Sequence, residues 1–462
     1  MVAAPESPTS TAHPLDPLSA AEIEAAVAIV RNGRTLGPRT RFVTVSLKEP
    51  TRKELRLYRQ GVALERLAEI VLLDNDTAMT SEAVVSLSRG ALTTWRDVSG
   101  VQPAVMLDEF YEAELMVKAD PGWQAAVHKR GVTDFDLCMV DPWSNGHYGA
   151  AEDSQARLVR ALTWVRTGPL DNGYARPIEN MITVIDLNAM RVVRIEDGEV
   201  VPLPPTDANY TEEAVGTVRA DLRPIQISQP DGPSFAITGN EIAWQKWRLR
   251  VGFNAREGLV IYGVTYQDGD RERSVLERAS VCDMVVPYGD PRPHYNKRNA
   301  FDVGEYGLGV FANSLALGCD CLGEIFYFDA CLNDSKGSPV PIQNAICLHE
   351  EDVGVLWKHL DIRTGAVEVR RSRRLVVSFI ATVGNYEYGF YWYFYQDGTI
   401  QLEIKMTGVV SNGALPVGEP APQWGTLVAP GVYAPIHQHF FNARLDVAVD
   451  GPANHVEEVH TV

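Results

Sequence analysis

From about Leu222 onward, almost every segment of this 462-residue chain reads as a β-strand. The sharpest case is Thr399–Met406, where Ile400, Leu402, Ile404 and Met406 alternate with Gln401, Glu403 and Lys405. A period of two puts the apolar set on one face of an extended chain, the signature of a half-buried strand. The turn Gln396-Asp397-Gly398 joins it to the aromatic run Phe390–Tyr395, and the pair predicts a hairpin. Further strands are expected at Trp244–Val251 and Leu259–Tyr266, the second closed by Gln267-Asp268-Gly269-Asp270. About 240 residues of this kind predict a large antiparallel β-sandwich over residues 223–462.

The N-terminal half follows a different rule. Ser19 and Glu22 form a capping box for a helix over Ala20–Arg31, whose Ile23, Val27 and Val30 make an apolar stripe ended by Asn32-Gly33. Strand candidates follow at Arg41–Leu47, Glu69–Leu73 and Ala83–Ser88. The same order then recurs. Helical stretches at Glu109–Lys118 and Gly122–Lys129 precede strands at Asp136–Val140, Arg160–Arg166, Ile182–Asp186 and Val192–Glu196. Pro202, Pro204 and Pro205 mark a linker. The expected class is α+β: two small helix-plus-antiparallel-sheet domains, residues 1–103 and 104–222, ahead of the sandwich. The first dozen or so residues, rich in Pro, Ser and Thr, read as a disordered tail.

Charge narrows the function. With 42 Lys and Arg against 60 Asp and Glu, the net charge of -18 argues against nucleic acid, whose phosphates call for clustered cations. No apolar run approaches the ~20 residues of a membrane span. Without a basic start and apolar core at the N-terminus, a cytoplasmic location is the expectation. Six cysteines include Cys319-Asp320-Cys321, but no second close pair follows that would make a zinc ribbon.

His437-Gln438-His439 is the one place where two of the ten histidines stand at i and i+2. On an extended segment both imidazoles share a face, near enough to bind one metal ion, and imidazole-only ligation suits copper or zinc. A cupin would also need a glutamate soon after the second histidine, and Phe440-Phe441-Asn442-Ala443-Arg444 supplies none. The other notable motif is Thr382-Val383-Gly384-Asn385-Tyr386-Glu387-Tyr388-Gly389, a turn leading into an aromatic strand.

Asn385-Tyr386-Glu387-Tyr388 resembles the Asn-Tyr-(Asp/Glu)-Tyr consensus of copper amine oxidases, in which the first tyrosine becomes topaquinone. His437 and His439 lie 51 and 53 residues beyond Tyr386, as the copper-binding pair of that family does. Phe301-Asp302-Val303-Gly304-Glu305-Tyr306-Gly307 resembles the segment bearing its catalytic base. Val286-Pro287-Tyr288-Gly289-Asp290-Pro291 resembles the segment whose tyrosine hydrogen-bonds the quinone. His13-Pro14-Leu15-Asp16-Pro17-Leu18-Ser19 and the two small domains extend the resemblance to nearly the whole chain, in the manner of the shorter bacterial members.

The resemblance implies copper(II) held by His437 and His439, and topaquinone made from Tyr386 with dioxygen. Asp302 would be the base, Tyr288 a hydrogen-bond partner and Asn385 an orienting residue. It implies oxidative deamination of a primary amine to aldehyde, ammonia and hydrogen peroxide, in a homodimer. Cys321 and Cys347 match the family's disulfide, and Asp446 resembles a ligand of its peripheral calcium-type site. Ala300, two residues before the base, stands where the family often has a bulkier residue, so a wide substrate channel is expected. The third copper histidine lies in a long C-terminal stretch in that family, whereas His455 and His460 resemble no part of it. The expectation is therefore a C-terminally truncated amine oxidase, with a non-catalytic relative retaining only the fold as the alternative.

Overall fold

The computed structural model describes residues 12–149, 151, 156–217 and 219–461. The disordered tail expected at the N-terminus lies, through residue 11, outside the described residues. Helix α1 (Ala20–Gly33) begins at the expected capping box and buries Ile23, Ala26, Val27 and Val30. They pack on an antiparallel meander of β1 (Thr40–Leu47), β2 (Leu67–Asp74), β3 (Met79–Ser86) and β4 (Ala91–Val98). A second capping box, Thr51 with Glu54, starts the short α2 (Arg52–Arg59). Its Leu55 clusters with Leu15, Val260 and Tyr262, tying the first domain to the large sheets.

Helices α3 (Leu107–Ala119) and α4 (Pro121–His128) cover the next meander: β5 (Cys138–Ser144), β6 (Leu158–Val165), β7 (Met181–Asp186) and β8 (Arg191–Asp197). Its other face is apolar as well, with Leu162, Trp164, Ile182 and Val184 packed beside Trp143 and Tyr174. Strand β5 runs on past the expected Val140 through Pro142. Proline lacks the ladder N–H and survives here because β5 is an edge strand. A single turn, α5 (Glu212–Val215), follows.

The large domain begins with β9 (Phe235–Thr238), β10 (Glu241–Trp244), β11 (Trp247–Asn254), β12 (Gly258–Asp268), β13 (Arg271–Pro287) and β14 (Asn299–Ala300). A second sheet runs in chain order through β15 (Phe326–Asn333), β16 (Pro339–Leu360), β17 (Val367–Val383), β18 (Tyr386–Tyr395) and β19 (Ile400–Gly408). Strands β20 (Gly413–Ala414), β21 (Gly425–Ala429) and β22 (Val432–Pro435) make a small third sheet, and β23 (Phe440–Val447) joins the first by pairing with β13. The two large sheets share one core, with Trp247, Leu249 and Val251 against Leu375, Val377, Phe379, Phe390 and Trp392. The class is the α+β arrangement expected.

One expected strand is two. Gln245 takes φ 52° and folds Trp244–Val251 into a hairpin in which Trp244 opposes Trp247. The hairpin of β18 and β19 stands as expected, with Phe394 opposite Ile400. Along β18, Tyr388, Phe390, Trp392 and Phe394 turn into the core between the sheets. Tyr391 and Tyr393, between them, lie on the outer face with their rings stacked. Among the described residues, no helix is long and apolar enough to cross a membrane.

Candidate active site

Tyr386 enters β18 straight from a turn whose Gly384 has φ +59°, a left-handed conformation that costs a side chain about 1–2 kcal/mol. Asn385, inside that turn, donates from Nδ2 to the Val409 carbonyl at 2.6 Å. The Tyr386 hydroxyl accepts from the Ser411 N–H at 3.1 Å and lies 2.7 Å from His437 Nε2. The segment carrying both histidines crosses the end of β13. Gly289 N–H donates to the Ile436 carbonyl at 2.9 Å, and Gln438 N–H donates to that of Pro287 at 3.2 Å. Tyr288 stacks on the His437 ring at 4.6 Å and 14°.

The tautomer of His437 follows from its partners. Its Nδ1 lies 2.8 Å from the Pro435 carbonyl, which can only accept. Nδ1 therefore carries the proton, and the Nε2 lone pair accepts from the Tyr386 hydroxyl. The Tyr388 hydroxyl binds His439 Nδ1 at 3.0 Å, leaving Nε2 as that ring's candidate ligand atom. The two imidazoles stand 5.0 Å apart. Burial holds both below the usual histidine range, and the neighbouring His437 helps push His439 down to about 4. Two neutral imidazoles, one locked by a backbone carbonyl, beside a phenol oxygen make a donor set that fits copper.

Asp302 opens a single π-helical turn, Asp302–Tyr306, in which Gly307 N–H donates back to the Asp302 carbonyl at 2.8 Å. Such turns are rare and gather at functional sites. Its carboxyl is buried, with no cation paired to it among the described residues. Burial, then Glu305 and Asp141, raise its pKa to about 8. A cavity of about 350 Å³ brings Asp302 together with Tyr386, Asn385, Tyr288, Tyr388 and Ala300. Among the described residues the buried Tyr288 hydroxyl lacks a well-formed hydrogen bond, so an added oxygen on a neighbouring ring would meet a waiting donor.

The second domain lines one side of the cavity, and its Asp141, Trp143 and Tyr174 carry no signal in the sequence motifs. Asp141 accepts from Trp143 Nε1 at 3.2 Å, and burial raises its pKa to about 6. Tyr388 is likewise a site residue that sequence reasoning quoted but gave no role.

The remaining candidates lie elsewhere. Cys321 and Cys347 are brought together, as free thiols. Asp446, on β23, is ion-paired to Arg52, whose Nε lies 2.9 Å from its Oδ2, so a cation there would have to displace a guanidinium. His455 and His460 are exposed and pair with Glu457 and Glu458.

Comparison with known proteins identifies the family. "Copper amine oxidase, enzyme domain" matches residues 236–462, its N3 domain 108–214, and the "AGAO-like N2 domain" 19–94. The primary amine oxidase of Arthrobacter sp. (strain P1) is 50% identical over 456 residues, which cover 98% of this chain and 70% of that one. The chain belongs to the copper amine oxidase family. A peroxisomal copper-containing diamine oxidase of Nicotiana tabacum is 47% identical across 95% of this chain and 61% of its own length. Among solved structures of the family, a copper-containing benzylamine oxidase from Hansenula polymorpha superposes with a TM-score of 0.85 at 33% identity, over 95% of this chain and 71% of that one. This amine oxidase chain thus spans between 61% and 71% of these three relatives.

Proposed function

We propose that this chain carries out the copper- and topaquinone-dependent oxidation of primary amines, with Tyr386 as the quinone precursor. Amine, dioxygen and water would become aldehyde, ammonia and hydrogen peroxide. The observation that carries the reading is the shared cavity of Tyr386 and Asp302, with the Tyr386 hydroxyl on His437 Nε2. His437 and His439 would hold copper, which together with the quinone supplies the electron sink and returns electrons to dioxygen.

The chain's own side chains account for the rest. Asp302, poised near neutrality by burial, accepts the proton from the amine's α-carbon. Tyr288 offers a hydroxyl to the ring formed from Tyr386, and Asn385, braced by Val409, holds the turn that sets the ring's direction. Tyr388 fixes His439. The apolar walls around Trp143 and Val286 keep water from the reacting carbon. A homodimer is part of the same proposal. Strands β16 and β17 run out into an arm on which Val355, Trp357, Leu360 and Ile362 are each half or more exposed, apolar surface that a second subunit would cover. A peripheral divalent ion at Asp446 would require Arg52 to swing away.

The test is reconstitution. Metal-free protein is given copper(II) in air while the visible quinone band and the mass of the Tyr386 peptide are followed. A band with a matching mass change supports the reading. A folded, copper-loaded chain with an unmodified Tyr386 rejects it, in favour of a relative that keeps the fold without the chemistry.

A further inference from the structure

Three carboxylates line the cavity that holds Tyr386: Asp302, Asp141 and Glu114. Among the described residues that line it there is no lysine, arginine or histidine. Their surroundings separate the three. Glu114 is already neutralised, ion-paired to Lys118 at 2.6 Å and accepting from the Val140 N–H at 3.2 Å. Asp302 belongs to the reacting end. Asp141 is left over. Its Oδ2 accepts from the Trp143 indole N–H at 3.2 Å, and no cation is paired to it among the described residues. An ionised carboxylate can accept about four hydrogen bonds, and one indole does not compensate a charge taken out of water.

The position of Asp141 gives that charge a use. It reaches the cavity from the edge strand β5, beside the turn that leads into Tyr386. Its Oδ2 lies 3.5 Å, and Tyr174 Oη 3.6 Å, from where a Cβ would stand on Gly384. The Trp143 ring meets Tyr288 edge-on at 5.7 Å. Asp141 is near enough to Asp302 that its charge helps raise the pKa of that carboxyl. Burial lifts Asp141 itself to about 6, so near neutral pH it carries its charge. The rings of Trp143 and Tyr174 flank it on the cavity wall, and aromatic faces attract cations.

We propose that Asp141 is the subsite for a second cationic group on the substrate, so that the cavity favours α,ω-diamines, unbranched alkyl chains with an ammonium at each end. One amine enters toward Tyr386 and Asp302, while the far ammonium pairs with Asp141 against the Trp143 and Tyr174 rings. A monoamine of equal length sets a methyl there and leaves the carboxylate without a partner, the mismatch that a site built for polar contacts rejects most strongly. This inference rests on the amine oxidation proposed for the same cavity and adds the substrate class.

Copper-loaded protein is assayed with diamines of three to six carbons, each beside the monoamine in which a methyl replaces the far ammonium. The quantity read is the ratio of the two kcat/KM values, in wild type and in Asp141→Asn. Comparing ratios between the two proteins cancels the two reactive ends of a diamine, its different basicity and any general damage to the site. For the best diamine the ratio should fall about 10- to 100-fold in Asp141→Asn, the span of a lost charge-assisted hydrogen bond. Asp141→Glu, which keeps the charge, should restore part of it. Far-UV circular dichroism checks each variant's fold. If monoamines are oxidised and the ratio in folded Asp141→Asn stays within about threefold of wild type, the subsite is overturned and the amine oxidation stands. Where turnover is absent or neither variant folds, titration calorimetry on the copper-free wild-type chain decides. The diamine should then bind about tenfold or more tighter than its monoamine, and equal affinities overturn the subsite. A chain that oxidises no amine but binds diamines tighter keeps the subsite and sinks the chemistry proposed for Tyr386.

Discussion

Two buried carboxylates in this molecule have opposite fates. Glu257 takes hydrogen bonds from Arg278 Nη1 at 2.9 Å, the Ser280 hydroxyl at 2.6 Å and Asn254 Nδ2 at 3.0 Å. Burial alone would raise its pKa, but the Arg278 hydrogen bonds and charge prevail and hold it below the usual range. Arg278 also reaches Glu49 at 2.9 Å, so the network locks the first domain onto the large sheet. Asp302 is buried as well, with no cation paired to it among the described residues, and its pKa climbs to about 8. A buried charge that is fully paired is structure; one left unpaired inside a cavity is available for chemistry.

The largest effect that would break this contrast is on rate. Asp302→Asn should lower kcat/KM for a good amine by on the order of 10³-fold, within the usual span for a general base. It should leave stability unchanged or slightly raised, because the wild-type carboxyl resists ionising in place. Glu257→Gln should do the reverse. It leaves Arg278 with Glu49 as its one carboxylate and should cost about 2–3 kcal/mol, somewhat less than a buried pair broken outright, with little change in turnover. Urea unfolding beside steady-state oxidation reads both quantities. If Asp302→Asn destabilises as much as Glu257→Gln does, the contrast is wrong.

pH sharpens it further. Activity needs Asp302 ionised, so kcat/KM should climb about tenfold per pH unit below about 8 and level off above, once the amine's own titration is divided out. Stability has two signs. Because folding raises the pKa of Asp302, its contribution is fully present below the unfolded value near 3.8 and is lost as pH rises through about 8. Glu257, whose pKa folding lowers, contributes above its unfolded value near 4.5 and loses that contribution as pH falls. The stability of Asp302→Asn relative to wild type should therefore grow between pH 5 and pH 9 (about 4 units). A gap that stays flat means Asp302 is not held protonated by burial.

The contrast also marks what a sequence can display. Tyr386, Asp302, Tyr288 and the two histidines were legible because each sits in a short motif tied to its chemistry. The sandwich was legible because Ile400, Leu402, Ile404 and Met406 alternate. Asp141, Trp143 and Tyr174 were not, since they reach the cavity from β5 and the chain after β6 only when the second domain docks, and the expected strand stopped at Val140, short of the first two. Helix α2 was missed although Thr51 and Glu54 announce it, because its eight residues bury little beyond Leu55. The break at Gln245 was invisible because its positive φ is imposed by the pairing of Trp244 with Trp247, not by the residue itself.

Smaller effects test the cavity walls. Ala300 is buried beside Val286 and Tyr288, so Ala300→Phe should narrow the channel and reduce kcat/KM for bulky aryl amines about tenfold, while sparing methylamine. Equal loss on both substrates would mean that Ala300 does not govern access.

The smallest expected effect concerns how Tyr386 is aimed. At Gly384 an added methyl would meet Asp141 Oδ2 at 3.5 Å and Tyr174 Oη at 3.6 Å, ordinary contact distances, so space is not the obstacle. The obstacle is the φ of +59°, which an alanine adopts at a cost of about 1 kcal/mol. Gly384→Ala should therefore lower stability by that amount and change kcat/KM less than threefold. Gly384→Asn should recover part of the loss, because asparagine visits this conformation more readily. Asn385 and Val409 hold the far side of the turn through their hydrogen bond, so the strain should stay local. If either variant instead lost activity as severely as Asp302→Asn, the turn would be passing its distortion to the Tyr386 ring. The line between paired structure and unpaired chemistry would then run through the backbone of this turn as well as through the carboxylates.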